Sequence, residues 1–327
     1  MRRREFIKCI AAGTIVNWTL DAVAAGTPHP HIGFLSISSS EFDVPNLAAF
    51  RDGLQRLGYT ENQNYEMDSR WSGGDMNKLT ILGRELLQSN PKVVVASAIS
   101  PTRALKRLAP TLPIVCPTFG DSFVPDLAAS FAHPGGSVTG VASIVEGMEG
   151  KIAELVLDAI PATTKIGLLV NPAGASTPEN ERQIRSVTQA RGVELRVENV
   201  AKPDDIDEAV KHLNAEMVQA VIVPANGLVN ARLKHIVELA LSVRLPLFFS
   251  QSYGVEIGGL ASYGVNPAEN FRIAASFVDK ILKGAAPGDL PIEFPTKLEF
   301  AINLKTARAL SLTLGASLVD RADKVIE

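Results

Sequence analysis

Short apolar runs alternate along most of the chain with longer stretches whose apolar residues recur at helical spacing. In the first half, the runs near Ile32–Ser36, Tyr65–Trp71, Val93–Ala96 and Pro113–Cys116 predict strands. Between them, Leu47, Phe50, Leu54 and Leu57 mark one helix, and Leu79, Leu82 and Leu86 another. The second half predicts strands near Lys165–Val170, Val193–Val197, Ala220–Val223 and Pro246–Phe249. Its helical stripes run through Ile206, Val210, Leu213 and Met217 and through Ile236, Leu239 and Val243. Such alternation implies an α/β protein with parallel sheets covered on both faces.

The two halves share a rhythm. Ile32 and Pro113 lie 81 positions apart, and so do Lys165 and Pro246. Ile32-Gly33-Phe34-Leu35 is echoed by Ile166-Gly167-Leu168-Leu169, and Leu112-Pro113-Ile114-Val115 by Leu245-Pro246-Leu247-Phe248. Two similar lobes follow, and a length of 327 residues suits two domains. The connection between them runs through His133–Gly140, where Pro134-Gly135-Gly136 is turn chemistry, and then enters a helix from about Glu149 to Ile160. A third helical segment spans Pro267 to Lys283. Lys297–Ile302 reads as a strand, and two short helices close the chain.

Composition narrows the class. With 46% hydrophobic residues the chain can bury real cores, which excludes a disordered protein. No apolar run reaches the roughly 18 residues of a membrane-spanning helix. Residues 1–24 read as an export leader: Arg2, Arg3 and Arg4 come first, then the apolar stretch Ile10–Val16, then the small-x-small pattern Ala22-Val23-Ala24. Arg3-Arg4-Glu5-Phe6-Ile7-Lys8 is similar to a twin-arginine signal; an ordinary secretory leader with an extra arginine is the alternative. Cleavage after Ala24 removes four basic and two acidic side chains, moving the net charge from −3 to −5. A mildly acidic chain without a basic cluster does not suit nucleic acid. It also retains only Cys116, so no internal disulfide and no cysteine-rich metal site can form.

In open parallel sheets, ligands bind beyond the carboxyl ends of the strands. The segments there are polar and small. The first lobe offers Ser38, Ser39 and Phe42, then Ser97, Ala98, Ser100 and Thr102, then Phe119 and Asp121. The second offers Asn171, then Ala225 and Asn226, then Gln251 and Tyr253, with Tyr263 beyond. Hydroxyls and free N–H groups at helix starts attract an anionic group. Ser100-Pro101-Thr102 is the leading candidate, because proline suits a first helical turn. Helix capping is the plain alternative at each loop. Asp121 could pair with a ligand ammonium, and the aromatic rings could stack on a ligand. No His-Glu-x-x-His, Gly-x-Ser-x-Gly or Gly-x-Gly-x-x-Gly motif occurs. No catalytic residue, metal site or cofactor is therefore expected, and binding without chemistry is favoured.

Ordered motifs along the mature chain resemble the substrate-binding proteins of bacterial ABC importers, in the branch that includes binders of tryptophan and other aromatic amino acids. They include Gly33-Phe34-Leu35-Ser36, Phe50-Arg51-Asp52-Gly53-Leu54, Pro134-Gly135-Gly136-Ser137-Val138-Thr139-Gly140, Val170-Asn171-Pro172 and Gly258–Gly264. Ile281-Leu282-Lys283-Gly284 and Ile302-Asn303-Leu304-Lys305-Thr306-Ala307 continue them. The resemblance implies a type I periplasmic binding fold: two doubly wound parallel-sheet lobes joined by three crossovers. Residues 25–140 with 266–290 would form the first lobe, and 141–265 with 291–327 the second. It also implies a periplasmic, monomeric carrier that closes on a small solute, such as an aromatic amino acid, and hands it to an ABC permease and its ATPase. The family often carries an acid where Asn226 stands, which leaves the ligand class open. An exported enzyme with its site between the lobes, and a sensor for a membrane receptor, are the rival expectations.

Overall fold

The structure is a computed structural model that describes residues 29–120, 125–143, 145, 147–174, 176–295 and 297–327. The expected export leader, residues 1–24, lies outside the described residues.

The first part of the chain alternates β1 (His31–Ser36), α1 (Ser40–Arg56), β2 (Glu66–Trp71), α2 (Met76–Leu87), β3 (Val93–Ala96), α3 (Ile99–Leu108), β4 (Ile114–Phe119) and β5 (Val138–Ala142). These strands form one parallel sheet in the order β2-β1-β3-β4-β5. The chain then continues with α4 (Met148–Ala159), β6 (Lys165–Val170), α5 (Thr177–Ala190), β7 (Glu194–Asn199), α6 (Ile206–Ala215) and β8 (Ala220–Val223). Next come α7 (Gly227–Ala231), α8 (Leu233–Ser242), β9 (Leu247–Phe249), α9 (Ser252–Glu256) and β10 (Ala261–Val265). The last elements are α10 (Pro267–Leu282), β11 (Leu298–Asn303), α11 (Leu304–Ala309), α12 (Ala316–Val319) and β12 (Lys324–Ile326). The second sheet runs β7-β6-β8-β9-β10-β11-β12, with β10 and β11 antiparallel.

Read outward from its edge, β7-β6-β8-β9-β10 repeats the order β2-β1-β3-β4-β5. The repeated Ile-Gly-x-Leu segments occupy equivalent places and do the same job. A Cβ on Gly33 would stand 2.9 Å from Val94 Cγ2 and 3.1 Å from Leu86 of α2. A Cβ on Gly167 would stand 2.9 Å from Leu213 of α6 and 3.0 Å from Val221. In each lobe a glycine on the first strand, β1 or β6, lets one helix pack close against the sheet.

Three crossovers join the lobes. The chain leaves the first sheet after β5, returns from β10 through Asn266 into α10, and leaves again after Glu293, which bridges to Val141, toward β11. α10 packs on α1 and on the first sheet. Asn270 Nδ2 donates to the Ala142 carbonyl at 3.3 Å, which ties the second crossover to the first. Asn266 Nδ2 donates to Glu299 Oε2 at 3.1 Å, which ties it to the third.

Three strands differ from the sequence expectation. Val138–Ala142 belongs to β5 although its Pro-Gly-Gly neighbourhood reads as a connection. All five residues are buried beside β4, and Gly140 is needed because a Cβ there would lie 1.9 Å from the Cys116 carbonyl oxygen. β10 and β12 were likewise not expected as strands, and β12 lies beyond the two short C-terminal helices.

Candidate ligand-binding site

An open parallel sheet forms a crevice where its strand order reverses, outside the carboxyl ends of the strands. The first sheet reverses between β1 and β3, and the second between β6 and β8. These two points face each other across one cavity of about 290 Å³. Ile37 and Ser38 follow β1, and Ser97 and Ala98 follow β3; all four line it. Asn171 after β6 and Ala225 and Asn226 after β8 line the opposite side. Ser250 and Gln251, after β9, complete that wall, and Val265, Pro267 and Phe271 close the hinge side.

Hydrogen bonds fix these strand ends. Ser97 Oγ donates to Ser36 Oγ at 2.9 Å, and Ser36 Oγ also accepts from the Ser38 N–H at 3.0 Å. The tips of β1 and β3 are thereby locked together. In the second lobe the Ala225 N–H donates to Ser250 Oγ at 2.8 Å, joining the tips of β8 and β9.

Helix starts at the cavity differ. Asn226 Oδ1 accepts the Val229 N–H at 3.0 Å, so Asn226 caps α7. Asn171 Oδ1 accepts the Ala173 N–H at 3.0 Å and shapes its own turn. α3 is another matter: its N-cap is Ala98, which supplies no side-chain acceptor. Ala98, Ile99 and Ser100 all line the cavity, so an uncapped helix start opens on it.

Among the described residues, charge enters from three side chains. Arg103 lines the cavity and holds Asp126 through two bonds, at 2.8 and 3.1 Å. Asp43 is 1% exposed. Its Oδ1 accepts from Asn46 Nδ2 at 3.3 Å and its Oδ2 from Trp71 Nε1 at 3.1 Å. Burial pushes its carboxyl up to about 6, against the opposing effect of hydrogen bonds from Ser36, Asn46 and Trp71. Glu149, in the first turn of α4, is 4% exposed and also lines the cavity.

The mouth is sealed by apolar contact between the lobes. Phe42 comes from α1 yet packs in the second lobe's core, with Leu228, Val229 and Phe249. Its ring meets Tyr253 edge-on, with centroids 5.2 Å apart. Gly227 leaves room for Ile37: a Cβ there would lie 2.1 Å from Ile37 Cγ2.

Of the residues singled out from sequence, Ser38, Phe42, Ser97, Ala98, Ser100, Asn171, Ala225, Asn226 and Gln251 come together around the cavity. Five do not line it. Ser39 caps α1 by accepting the Phe42 N–H. Thr102 Oγ1 donates to the Ala98 carbonyl. Phe119 is buried in the first lobe's core. Tyr253 stands behind Phe42, and Tyr263 packs against the second lobe's core. Asp121 lies outside the described residues. Sequence reading passed over Asp43, Asn46, Arg103, Glu149 and Asn180, all on helices and all lining the cavity. The available signal was a polar residue interrupting an apolar stripe, as Asp43 and Asn46 do beside Leu47 and Phe50.

The model of the ABC transporter substrate binding protein family matches residues 44–326. The Tyrosine-binding protein of Clostridioides difficile (strain R20291) is 21% identical over 263 residues, covering 80% of this chain and 75% of that protein. The crystal structure of an ABC domain from Streptococcus pneumonia in complex with L-Trp is 25% identical, with a TM-score of 0.81 over 91% of this chain and 100% of that one. A conserved domain protein from Vibrio cholerae shares the fold, with a TM-score of 0.81 and 24% identity over 90% of this chain and 99% of its own. Two doubly wound lobes, a cavity where their switch points meet, and a family match over nearly all the described residues agree: this chain belongs to the ABC transporter substrate-binding proteins.

Proposed function

We propose that this protein is the extracytoplasmic binding component of an importer, which closes on an amino acid and delivers it unchanged to an ABC permease and its ATPase. Aromatic amino acids are the favoured solutes. The observation that carries this reading is the single cavity shared by both switch points and sealed by Phe42. In this reading the first sheet, its helices and residues 266–293 move as one lobe, and the elements from α4 to β10 with those from β11 to β12 as the other. The open start of α3 receives the solute's carboxylate, since the helix dipole and its free N–H groups favour an anion. Ser38, Ser97 and Ser100 of the first lobe and Asn171, Asn226 and Gln251 of the second supply hydrogen bonds, and Phe271 offers an aromatic face. Two relatives support the solute class: the tyrosine-binding protein, and the neighbour holding L-Trp. The leader would take the chain to the periplasm and be removed after Ala24, leaving a monomer.

Closure is driven by the difference in solute affinity between closed and open forms. A solute at 100 times its Kd should stabilise the folded protein by about 2.7 kcal/mol. A thermal-shift screen of the twenty amino acids, with native mass spectrometry of freshly purified protein, tests this. We expect a rise of several degrees with tryptophan, tyrosine or phenylalanine; no shift with any amino acid contradicts the proposal.

A further inference from the structure

A zwitterion needs two opposite anchors, and a clamshell gains most if each lobe holds one. Among the described residues, the charged side chains lining the cavity are Asp43, Arg103 and Glu149. Arg103 is engaged by Asp126 through two hydrogen bonds. Asp43 accepts hydrogen bonds from Asn46, Trp71 and Ser36 and is fastened within the first lobe between α1 and the ends of β1 and β2. Among the described residues, Glu149 is the carboxylate that the second lobe brings to the cavity. α4, which carries it, packs on α5 and on the β8, β9 and β10 strands. The Glu149 N–H donates to Gln183 Oε1 on α5 at 3.2 Å, which fixes the helix start. Glu149 is 4% exposed, and the low local dielectric around a buried carboxylate strengthens its interaction with a cation brought into the cavity. Asn226 is no substitute: its side-chain oxygen is committed to capping α7.

We propose that Glu149 is the anchor for the solute's protonated amine and thereby selects amino acids over their des-amino counterparts. This rests on the amino-acid reading of the cavity. The solute then bridges the lobes by charge: its carboxylate lies at the start of α3 in the first lobe and its ammonium on Glu149 in the second. A molecule lacking the amine engages one lobe only, so it has less differential affinity for the closed form and closes it poorly.

The test is isothermal titration of the full chain with L-tyrosine and L-tryptophan, and with 3-(4-hydroxyphenyl)propionate and indole-3-propionate, which lack the amine. In the wild type we expect at least one amino acid to bind about a hundredfold more tightly than its des-amino counterpart, the scale of losing one partner of a buried charge pair. Glu149→Gln should cut amino-acid affinity by about that factor and leave the des-amino compounds unchanged or tighter. Glu149→Asp should fall between, and melting curves establish that each variant is folded. Wild-type ratios near one overturn the proposal without any variant. It is also overturned if Glu149→Gln keeps the wild-type ratio, or if Asp43→Asn collapses the ratio instead. Binding of none of the four compounds by the wild type, with no shift from any amino acid in the thermal screen, removes the amino-acid reading itself, a distinct result from binding without discrimination.

Discussion

The two lobes repeat one scaffold and divide its chemistry. Both reverse strand order at the same place, and both use a glycine on the lobe's first strand, Gly33 or Gly167, to bring a helix close. At the cavity they diverge. The first lobe presents the uncapped start of α3, where Ala98 supplies no acceptor. The second presents a capped helix, α7, together with a buried acid, Glu149. On the proposed reading the start of α3 in the first lobe takes the solute's carboxylate and Glu149 in the second takes its amine. Duplicated folds can specialise through a few residues at strand ends without changing the sheets behind them.

The largest effect should come from blocking the meeting of the lobes. In Gly227→Val the new Cβ would occupy the place of Ile37 Cγ2, now 2.1 Å away from that ideal position. If the closed fraction falls to about 1%, apparent solute affinity falls about a hundredfold. Calorimetry measures that loss, and small-angle scattering should show a larger radius of gyration than the wild type in the presence of tyrosine or tryptophan. Wild-type affinity in this variant would break the link between the apolar seal and capture.

Asp43 should tie stability of the first lobe to pH. Its folded value is raised from 3.8 to about 6, so the folded form holds its proton more tightly than the unfolded chain. The resulting stabilisation is full below about pH 4, is lost as pH rises toward about 6, and is absent above; its size is about 3 kcal/mol. Other carboxylates titrate in the same window, so the informative quantity is the difference between wild type and Asp43→Asn. Denaturant melts from pH 4 to 7 should show the wild type losing stability relative to the variant as pH rises. A constant difference contradicts the burial argument.

The smallest effect sharpens the contrast between helix starts. Asn226→Ala should cost about 1 kcal/mol by removing the cap of α7. Ala98→Ser, which offers α3 a cap, should instead leave stability unchanged or raise it slightly while weakening solute binding. Denaturant melts and calorimetry separate the two quantities. Equal loss of stability in both variants would remove the distinction drawn between the lobes.

Much of this scaffold is legible in the sequence, for a physical reason. Strands buried on both faces are written as apolar runs, and Val93–Ala96, Lys165–Val170 and Ala220–Val223 occupy the expected spans. The Gly33 and Gly167 echo reports a close helix-to-sheet contact that both lobes need. β5 was not legible because Gly140, required by the Cys116 carbonyl, looks like part of a turn. β12 was not because its lysine and valine are exposed at a sheet edge. At the cavity, strand-end loops could be found by topology alone, but Asp43 and Glu149 could not. On a helix, an acid in the first turn reads as a partner of the dipole, and only the packed lobes turn it toward the cavity.

The most direct measurement is a crystal structure of the mature protein grown with L-tryptophan or L-tyrosine. We expect the amino acid between the two switch points, with its carboxylate on the N–H groups at the start of α3 and its ammonium within hydrogen-bond reach of Glu149. An amino acid held outside that cavity, or gripped by one lobe alone, would contradict the central claim.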